Sequence, residues 1–90
     1  MYAIIRRYQT NSASGITKAV TEKFVPRIKQ LPGFVDYYGI DSVTGVWASV
    51  SVFDSQANAE KSSQLAQEFI KENSLILSSL QITSGEVVAN

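Results

Sequence analysis

The sequence predicts one α+β domain in which two β-α-β units share a four-stranded antiparallel sheet. A chain of 90 residues is the size of a single domain, which we place at residues 1–90. Two segments carry apolar residues at helical spacing, and four shorter segments are rich in β-branched and aromatic residues. The two central strands are joined by a turn so short that it allows only antiparallel pairing.

The first strand and the first helix occupy the N-terminal third. Tyr2–Gln9 is predicted as a strand because it is rich in β-branched and aromatic residues and ends at a polar loop. Ser12 or Ser14 can cap the helix that follows, because a short hydroxyl satisfies free N–H groups of the first turn. The apolar stripe of this helix consists of Ile16, Val20, Phe24, Ile28 and Leu31.

Two prolines are expected to interrupt and then end the first helix. Pro26 lies inside the apolar stripe and cannot donate a hydrogen bond to the carbonyl of Glu22, so we expect a kink there, or a break and restart. The dipeptide Pro32-Gly33 then ends the helix and turns the chain.

The second unit repeats this order. Phe34–Asp41 and Val46–Phe53 are predicted as strands two and three, with Gly45 taking a positive φ in the turn between them. Asp54 or Ser55 caps the second helix. Its stripe contains Ala59, Ser62, Ala66, Phe69, Ile70, Asn73, Leu77 and Leu80. A final strand, residues 81–89, completes the chain.

The order β-α-β-β-α-β is that of the ferredoxin-like fold, in which both helices cover the same face of the sheet. The opposite face is then bare, although strands two and three are apolar or aromatic on both sides. We expect aromatic residues among those left uncovered. Together they would form a larger exposed apolar patch than soluble monomers tolerate. A second copy of the same sheet covers such a patch with one self-complementary surface, so we predict a homodimer joined through the sheet faces.

Composition excludes several classes of function. The chain has no Cys and no His, so disulfides, thiolate metal sites and the commonest general base are absent, and we predict no metal site. Lys and Arg together number 8, as do Asp and Glu, which argues against a nucleic-acid partner. Neither a signal peptide nor an apolar run of membrane-spanning length is present, so we expect a cytoplasmic protein without a membrane partner.

Two stretches carry a resemblance to a known family. LPGFVDYYGID follows the first helix, and VSVFDSQANAE leads into the second. Together with the element order, they resemble the antibiotic biosynthesis monooxygenase-like group of the dimeric α/β barrel superfamily, over nearly the whole chain. The resemblance implies an oxygenase that needs no metal, flavin or haem, with an apolar pocket and a few polar groups for a small aromatic ligand. The same fold hosts other activities, so the motifs specify the fold better than the reaction.

The candidate pocket consists of residue types that the resemblance implies, although none aligns with a catalytic position. Its members are Tyr8, Tyr37, Trp47, Phe53, Phe69 and Asn73. Packing is the favoured role for Trp47, and also for Tyr37 and Tyr38, whose rings lie on opposite faces of a strand. Asn73 interrupts the stripe of the second helix, where it either faces a pocket or caps a break in the helix.

Arg6 and Arg7 also lie on opposite faces of a strand, so one of them points toward a covered face. A buried arginine would require an acidic partner, for which Asp36 and Glu86 are the candidates. The favoured alternative is an arginine whose head reaches solvent at the sheet edge.

Two functional hypotheses remain. The first is a cofactor-independent monooxygenase acting on a small aromatic or quinone-like compound, which a pocket with two or more convergent polar groups would favour. The second is a non-catalytic homodimer that binds a small apolar ligand or has a structural role, which a cavity filled by Phe24, Phe69 and Trp47 would favour. Haem degradation is not expected, because Met1 is the only methionine and His and Cys are absent.

Overall fold

The computed structural model describes residues 1–73, 75 and 77–90. Its strands are β1 (Tyr2–Gln9), β2 (Phe34–Asp41), β3 (Val46–Phe53) and β4 (Ser78–Glu86). Its helices are α1 (Ala13–Ala19), a π-helical segment (Val20–Phe24), α2 (Val25–Ile28) and α3 (Gln56–Glu72). The predicted ferredoxin-like α+β fold is confirmed, and the first three strands have the predicted bounds.

The sheet has the strand order β2-β3-β1-β4, and all neighbours pair antiparallel. On the central pair, Ile5 lies opposite Val50 and Arg6 lies opposite Ser49. All the helices pack on one face, where they enclose a single apolar core. This core contains Ile4, Tyr8, Ile16, Val20, Phe24, Ile28, Trp47, Phe53, Ala59, Ala66 and Phe69.

The first helical region changes helix type ahead of Pro26, where we expected a kink or a break and restart. Regular α-helical hydrogen bonding gives way to the π-helical segment just before Pro26, which lies in the first turn of α2. Regular α-helical hydrogen bonding cannot continue through Pro26, because proline has no N–H to donate to the carbonyl of Glu22. The interruption is therefore a change in helix type, with the chain remaining helical from α1 to α2.

The two helical regions begin differently. Ser12 is the N-cap of α1, but its side chain makes no capping hydrogen bond, so the predicted capping is wrong. The reason is its backbone conformation, with ψ of 42°, which is far from the extended geometry of a capping serine. Ser55, by contrast, is extended and its Oγ accepts from the backbone N–H of Asn58 at 3.2 Å, which confirms the prediction for α3.

The last strand begins and ends three residues before the predicted bounds of 81–89. Ser79 has a φ of 54°, and the pairing of β1 with β4 shifts register between Arg7 and Gln9. This irregularity lets the polar start of β4 pair with the end of β1, where Ser78 lies opposite Gln9.

The sheet face away from the helices is called the outer face. Its residues, which follow from the register, are Ala3, Ile5, Arg7, Asp36, Tyr38, Ile40, Ala48, Val50, Val52, Gln81 and Thr83. The aromatic part of the expected patch is reduced to Tyr38, because Trp47 and Phe53 lie under the helices. A register shift between Phe34 and Asp36 keeps both Phe34 and Tyr37 on the helix side. The outer face is therefore mainly aliphatic.

Within the described ranges, none of the helices has the length and apolar character needed to cross a membrane.

Candidate functional site

A small cavity lies between the sheet and the helices. Its lining comes from β1, β2, β3, α1, the π-helical segment, α3 and residues that follow α3. The lining residues are Arg6, Tyr8, Ile16, Val20, Phe24, Tyr37, Ser49, Ala66, Phe69, Ile70, Leu75 and Leu77. The cavity volume is about 20 Å³, enough for a single water molecule. Four of these residues carry polar groups, and the rest form an apolar wall.

Arg6 is the charged residue of the cavity. The alternation of β1 turns it toward the helices between Ile4 and Tyr8, and it is only 4% exposed. Its Nη2 donates to the Oγ of Ser63 on α3 at 2.7 Å. Among the described residues, no carboxylate forms an ion pair with it. The guanidinium is therefore a buried cation that donates a hydrogen bond to a neutral hydroxyl.

Both expectations for the arginine pair need correction. The acids that could have paired with Arg6 are engaged elsewhere: Asp36 accepts from the hydroxyl of Tyr38, and Glu86 lies 3.5 Å from the N-terminal amino group. The favoured alternative, an arginine with its head in solvent, describes Arg7 alone, which is exposed and donates to Gln81. The position of Arg6 was predicted wrongly because we expected the charged end of its long side chain to reach solvent.

The two phenols of the cavity are kept neutral by their surroundings. Burial raises the pKa of Tyr8, although Arg6 and Ser49 act in the opposite direction. Burial also raises the pKa of Tyr37, and the neighbouring Tyr8 adds to this effect. The pKa of Arg6 is lowered by burial and raised by the two phenols, but an arginine stays charged at neutral pH. The cavity thus presents one cation and two neutral O–H groups.

Trp47 supports the site from outside the cavity. Its ring stacks on Tyr8 with centroids 6.4 Å apart, and its Nε1 donates to the Oγ1 of Thr17 on α1 at 3.0 Å. On the other side the ring lies against the backbone of β2, where a Cβ at Gly39 would come within 2.7 Å of it. These contacts fix the indole, and through it the ring of Tyr8.

An aromatic cluster forms the opposite wall. Phe24 lies between Tyr37 and Phe69, with ring centroids 5.5 and 5.1 Å away. The π-helical segment carries Phe24, and α3 carries Phe69. The rings of Tyr37 and Phe69 are tilted by 56° and 52° to that of Phe24, so the wall offers both ring faces and ring edges to an aromatic ligand.

The structure brings together three of the six candidate pocket residues: Tyr8, Tyr37 and Phe69 line the cavity. Phe53 packs edge-on against Phe34 at 5.9 Å, deeper in the core. Asn73 is the C-cap of α3, where its Nδ2 donates to the carbonyl of Phe69 and its Oδ1 accepts from Lys23.

Two polar residues of the cavity, Arg6 and Ser49, were absent from the six candidate pocket residues. Strand alternation would have found them, since Arg6 shares a face with Tyr8, and Ser49 shares a face with Trp47. Over the part of the chain that the structure describes, no group of three His, Cys, Asp or Glu side chains is placed to hold a metal ion.

Alkaline pH is expected to destabilise the fold through Tyr37. Since burial raises its pKa in the folded state, the unfolded chain loses this proton first, at about pH 10. The stability that depends on the neutral phenol is complete below that value and is lost as the pH rises toward the folded pKa. Urea unfolding of the wild type and of Tyr37→Phe, from about pH 8 to about pH 11, should show a steeper loss in the wild type. Parallel losses would contradict this assignment.

Comparison with known proteins shows the fold. No protein-family model matches the chain. No curated protein matches it significantly in sequence. Solved structures do match, at low sequence identity. A "putative antibiotic biosynthesis monooxygenase" from Deinococcus radiodurans has a TM-score of 0.76 and 13% identity, over 100% of this chain and 95% of that one.

Two further structures are informative. SnoaB, a cofactor-independent oxygenase from Streptomyces nogalater, has a TM-score of 0.73 and 10% identity, over 99% of this chain and 94% of that one. A dimeric ferredoxin-like protein from an uncultured marine organism has a TM-score of 0.72 and 12% identity, over 99% and 95%. The resemblance to antibiotic biosynthesis monooxygenase-like proteins is thus confirmed as a likeness of fold.

Proposed function

We propose that the protein is a cofactor-independent monooxygenase that acts on a small aromatic or quinone-like compound in the cavity. The observation that carries this proposal is the convergence of Arg6, Tyr8, Tyr37 and Ser49 on one apolar cavity between sheet and helices. Such a combination of apolar walls and a few aimed polar groups is typical of small-molecule sites. The structural likeness to a cofactor-independent oxygenase supports the same reaction class.

The chemistry fits residues that hold a substrate without donating electrons. An electron-rich aromatic compound with an activated CH₂ group can react with O₂ so that one oxygen atom becomes a ring carbonyl. The second oxygen leaves as water with both hydrogens, and the substrate supplies all four electrons. The protein then needs only to orient the ring against Phe24 and Phe69, exclude water, and stabilise negative charge on the substrate oxygen.

Oxygen uptake tests this function. Dithranol, which carries such a CH₂ group, is the probe, with protein-free solution measuring its spontaneous oxidation. We expect the wild type to accelerate uptake of one O₂ per dithranol molecule, and Tyr37→Phe to slow it about tenfold or more through loss of one hydrogen-bond donor. Tyr2→Phe is the matched control, because it deletes the same atom outside the cavity lining. Uptake no faster than in protein-free solution would contradict the proposal.

A specific observation also favours the second candidate, a non-catalytic ligand-binding protein. The cavity holds only about one water molecule, because Phe24 and Phe69 occupy much of the space between the layers. A non-catalytic protein that binds small ligands would bind dithranol and quench the fluorescence of Trp47 without consuming oxygen, whereas a protein with only a structural role would give neither signal. Measuring both signals on one sample separates the two candidates.

The assembly we propose is a homodimer joined through the outer faces. Four strands about 4.8 Å apart, with about eight residues rising about 3.4 Å each, give each face roughly 500 Å². Two copies then bury about 1,000 Å², the lower limit of a specific interface. Ile5, Tyr38 and Ile40 are 42%, 56% and 48% exposed, large values for side chains of this type in a sheet.

Charge complementarity favours a second copy as the occupant. Arg7 on β1 and Asp36 on β2 lie on opposite sides of the aliphatic centre of the outer face. A two-fold arrangement can therefore bring these opposite charges together from different copies, twice per dimer. The likeness to a dimeric ferredoxin-like protein supports this assembly.

A further inference from the structure

We propose that Arg6 selects the ligand by its charge: the cavity takes a flat molecule with a single ionised oxygen, and Arg6, assisted by the hydroxyls of Tyr8 and Tyr37, holds that oxygen. The inference rests on the proposed function for the aromatic body of the ligand, whereas the charge requirement comes from Arg6 itself. The ligand class is therefore a small aromatic carboxylate, phenolate or enolate.

The cavity contains the buried positive charge of Arg6. Arg6 is 4% exposed, and none of the described carboxylates forms an ion pair with it. Burying a cation without a counter-charge is costly, and proteins normally place an acid beside it. Here the recorded hydrogen bond goes to the Ser63 hydroxyl. A bound anion would supply the missing negative charge.

Among the described residues, Arg6 is the only cationic side chain that lines the cavity, and none of the lining residues is Asp or Glu. One negative charge on the ligand would be balanced, whereas a second would be buried without compensation. The site thus favours a monoanion over both a neutral molecule and a dianion.

Tyr8 and Tyr37 lie close enough to Arg6 that each phenol influences its ionisation. Burial keeps both phenols protonated, so they are available as O–H donors to an oxyanion. A cation with two adjacent neutral donors is a suitable arrangement for one oxyanion.

A ligand body larger than water must displace part of the wall, and the half-buried aliphatic members of the lining, Ile70, Leu75 and Leu77, are the ones most able to move. The rings of Phe24 and Phe69 are held within the core cluster. A thin, planar body that stacks on one of these rings and meets the edge of the other, which is tilted by 52°, needs the smallest displacement.

Two matched pairs of ligands test the charge requirement by isothermal titration calorimetry. Benzoate is compared with benzamide, and para-nitrophenol, at a pH where it is ionised, is compared with nitrobenzene. Wild-type protein should bind each anion about tenfold or more tightly than its neutral partner, the range expected for charge-assisted hydrogen bonds. Arg6→Gln should remove this preference. Arg27→Gln, the same change on the helical layer outside the cavity, should retain it.

Each outcome decides the proposal. Equal binding of anions and neutral molecules by the wild type, or no binding of any of the four, would overturn it. A preference that survives Arg6→Gln would also overturn it. If Arg6→Gln does not fold, as judged by circular dichroism, Arg6→Lys keeps the charge, and its retained preference supports the proposal. Loss of the preference in a folded Arg6→Lys would count against the charge as its cause.

The same ligands distinguish this proposal from the oxygenase. Anion binding without oxygen uptake on dithranol supports the charge selection and removes the reaction. Oxygen uptake on dithranol that is equal in the wild type and in Arg6→Gln supports the oxygenase reaction and counts against charge selection by Arg6. Binding of benzoate but not of para-nitrophenolate assigns the ionised oxygen to a carboxylate, and the reverse assigns it to a phenolate.

Discussion

Replacing Val50 with aspartate is expected to convert the proposed dimer into monomers. Val50 lies at the centre of the outer face, opposite Ile5 on one side and Tyr38 on the other. In the dimer an aspartate there would be buried without a counter-charge, and two-fold symmetry would introduce it twice near the same point. Sedimentation or light scattering should give twice the chain mass of 9.9 kDa for the wild type and the single value for Val50→Asp.

Val43→Asp is the matched control for this change. Val43 lies in the turn between β2 and β3 and is 89% exposed, away from the outer face. The same substitution there should leave the dimer intact. A Val50→Asp protein that keeps the double mass, or a wild type that is monomeric at micromolar concentration, would contradict the proposed interface.

Replacing Phe53 with alanine is expected to destabilise the fold by about 3–5 kcal/mol. Phe53 is fully buried at the end of β3, beneath α3, and packs edge-on against Phe34. Deleting its ring leaves a cavity that the surrounding strands and helices cannot close. Domains of this size have a total stability of about 5–15 kcal/mol, so the loss is a large fraction of the whole.

Urea unfolding followed by the fluorescence of Trp47 measures this loss, because Trp47 is the only tryptophan and is buried. Both proteins must be compared at one protein concentration, since dimerisation couples to stability. Phe34→Ala is the control: it deletes the other ring of the same pair, but Phe34 is half-buried. Its cost should be clearly smaller. Equal costs would show that the pair, and not the buried position, determines the stability.

The backbone plan was predictable because local signals agreed with it. The strand composition of Tyr2–Gln9, the short turn containing Gly45, and the stripe of the second helix each specify one structure. Gly45 has the positive φ that the turn requires. Pro26 indicated an interruption, but a missing N–H does not determine whether the helix kinks, breaks or widens into a π-helical segment.

The side of the sheet that meets the helices could not be predicted, and this limited the prediction of the site. Both faces of β3 are compatible with burial, since one carries valines and the other carries Trp47 and Phe53. The register shift between Phe34 and Asp36, which no local residue pattern indicates, places Tyr37 on the helix side. Once that side is known, alternation along β1 places Arg6 in the cavity.

The role of Asn73 could not be predicted from the sequence either. A polar residue in an apolar helical stripe fits a pocket and a helix end equally well. The structure places it at the C-cap of α3, because its side chain can reach the carbonyl of Phe69 one turn back. The choice depends on where the helix ends, which the stripe alone does not specify.

We expect the ligand to bind in the cavity around Arg6. Arginine side-chain NMR tests it most directly, because the chain has only three arginines, Arg6, Arg7 and Arg27, and substitution of each identifies its Nε signal. On titration with benzoate, the account predicts a saturable shift of the Arg6 signal, while the signals of Arg7 and Arg27 stay in place. An unmoved Arg6 signal, or equal shifts of all three, would contradict it.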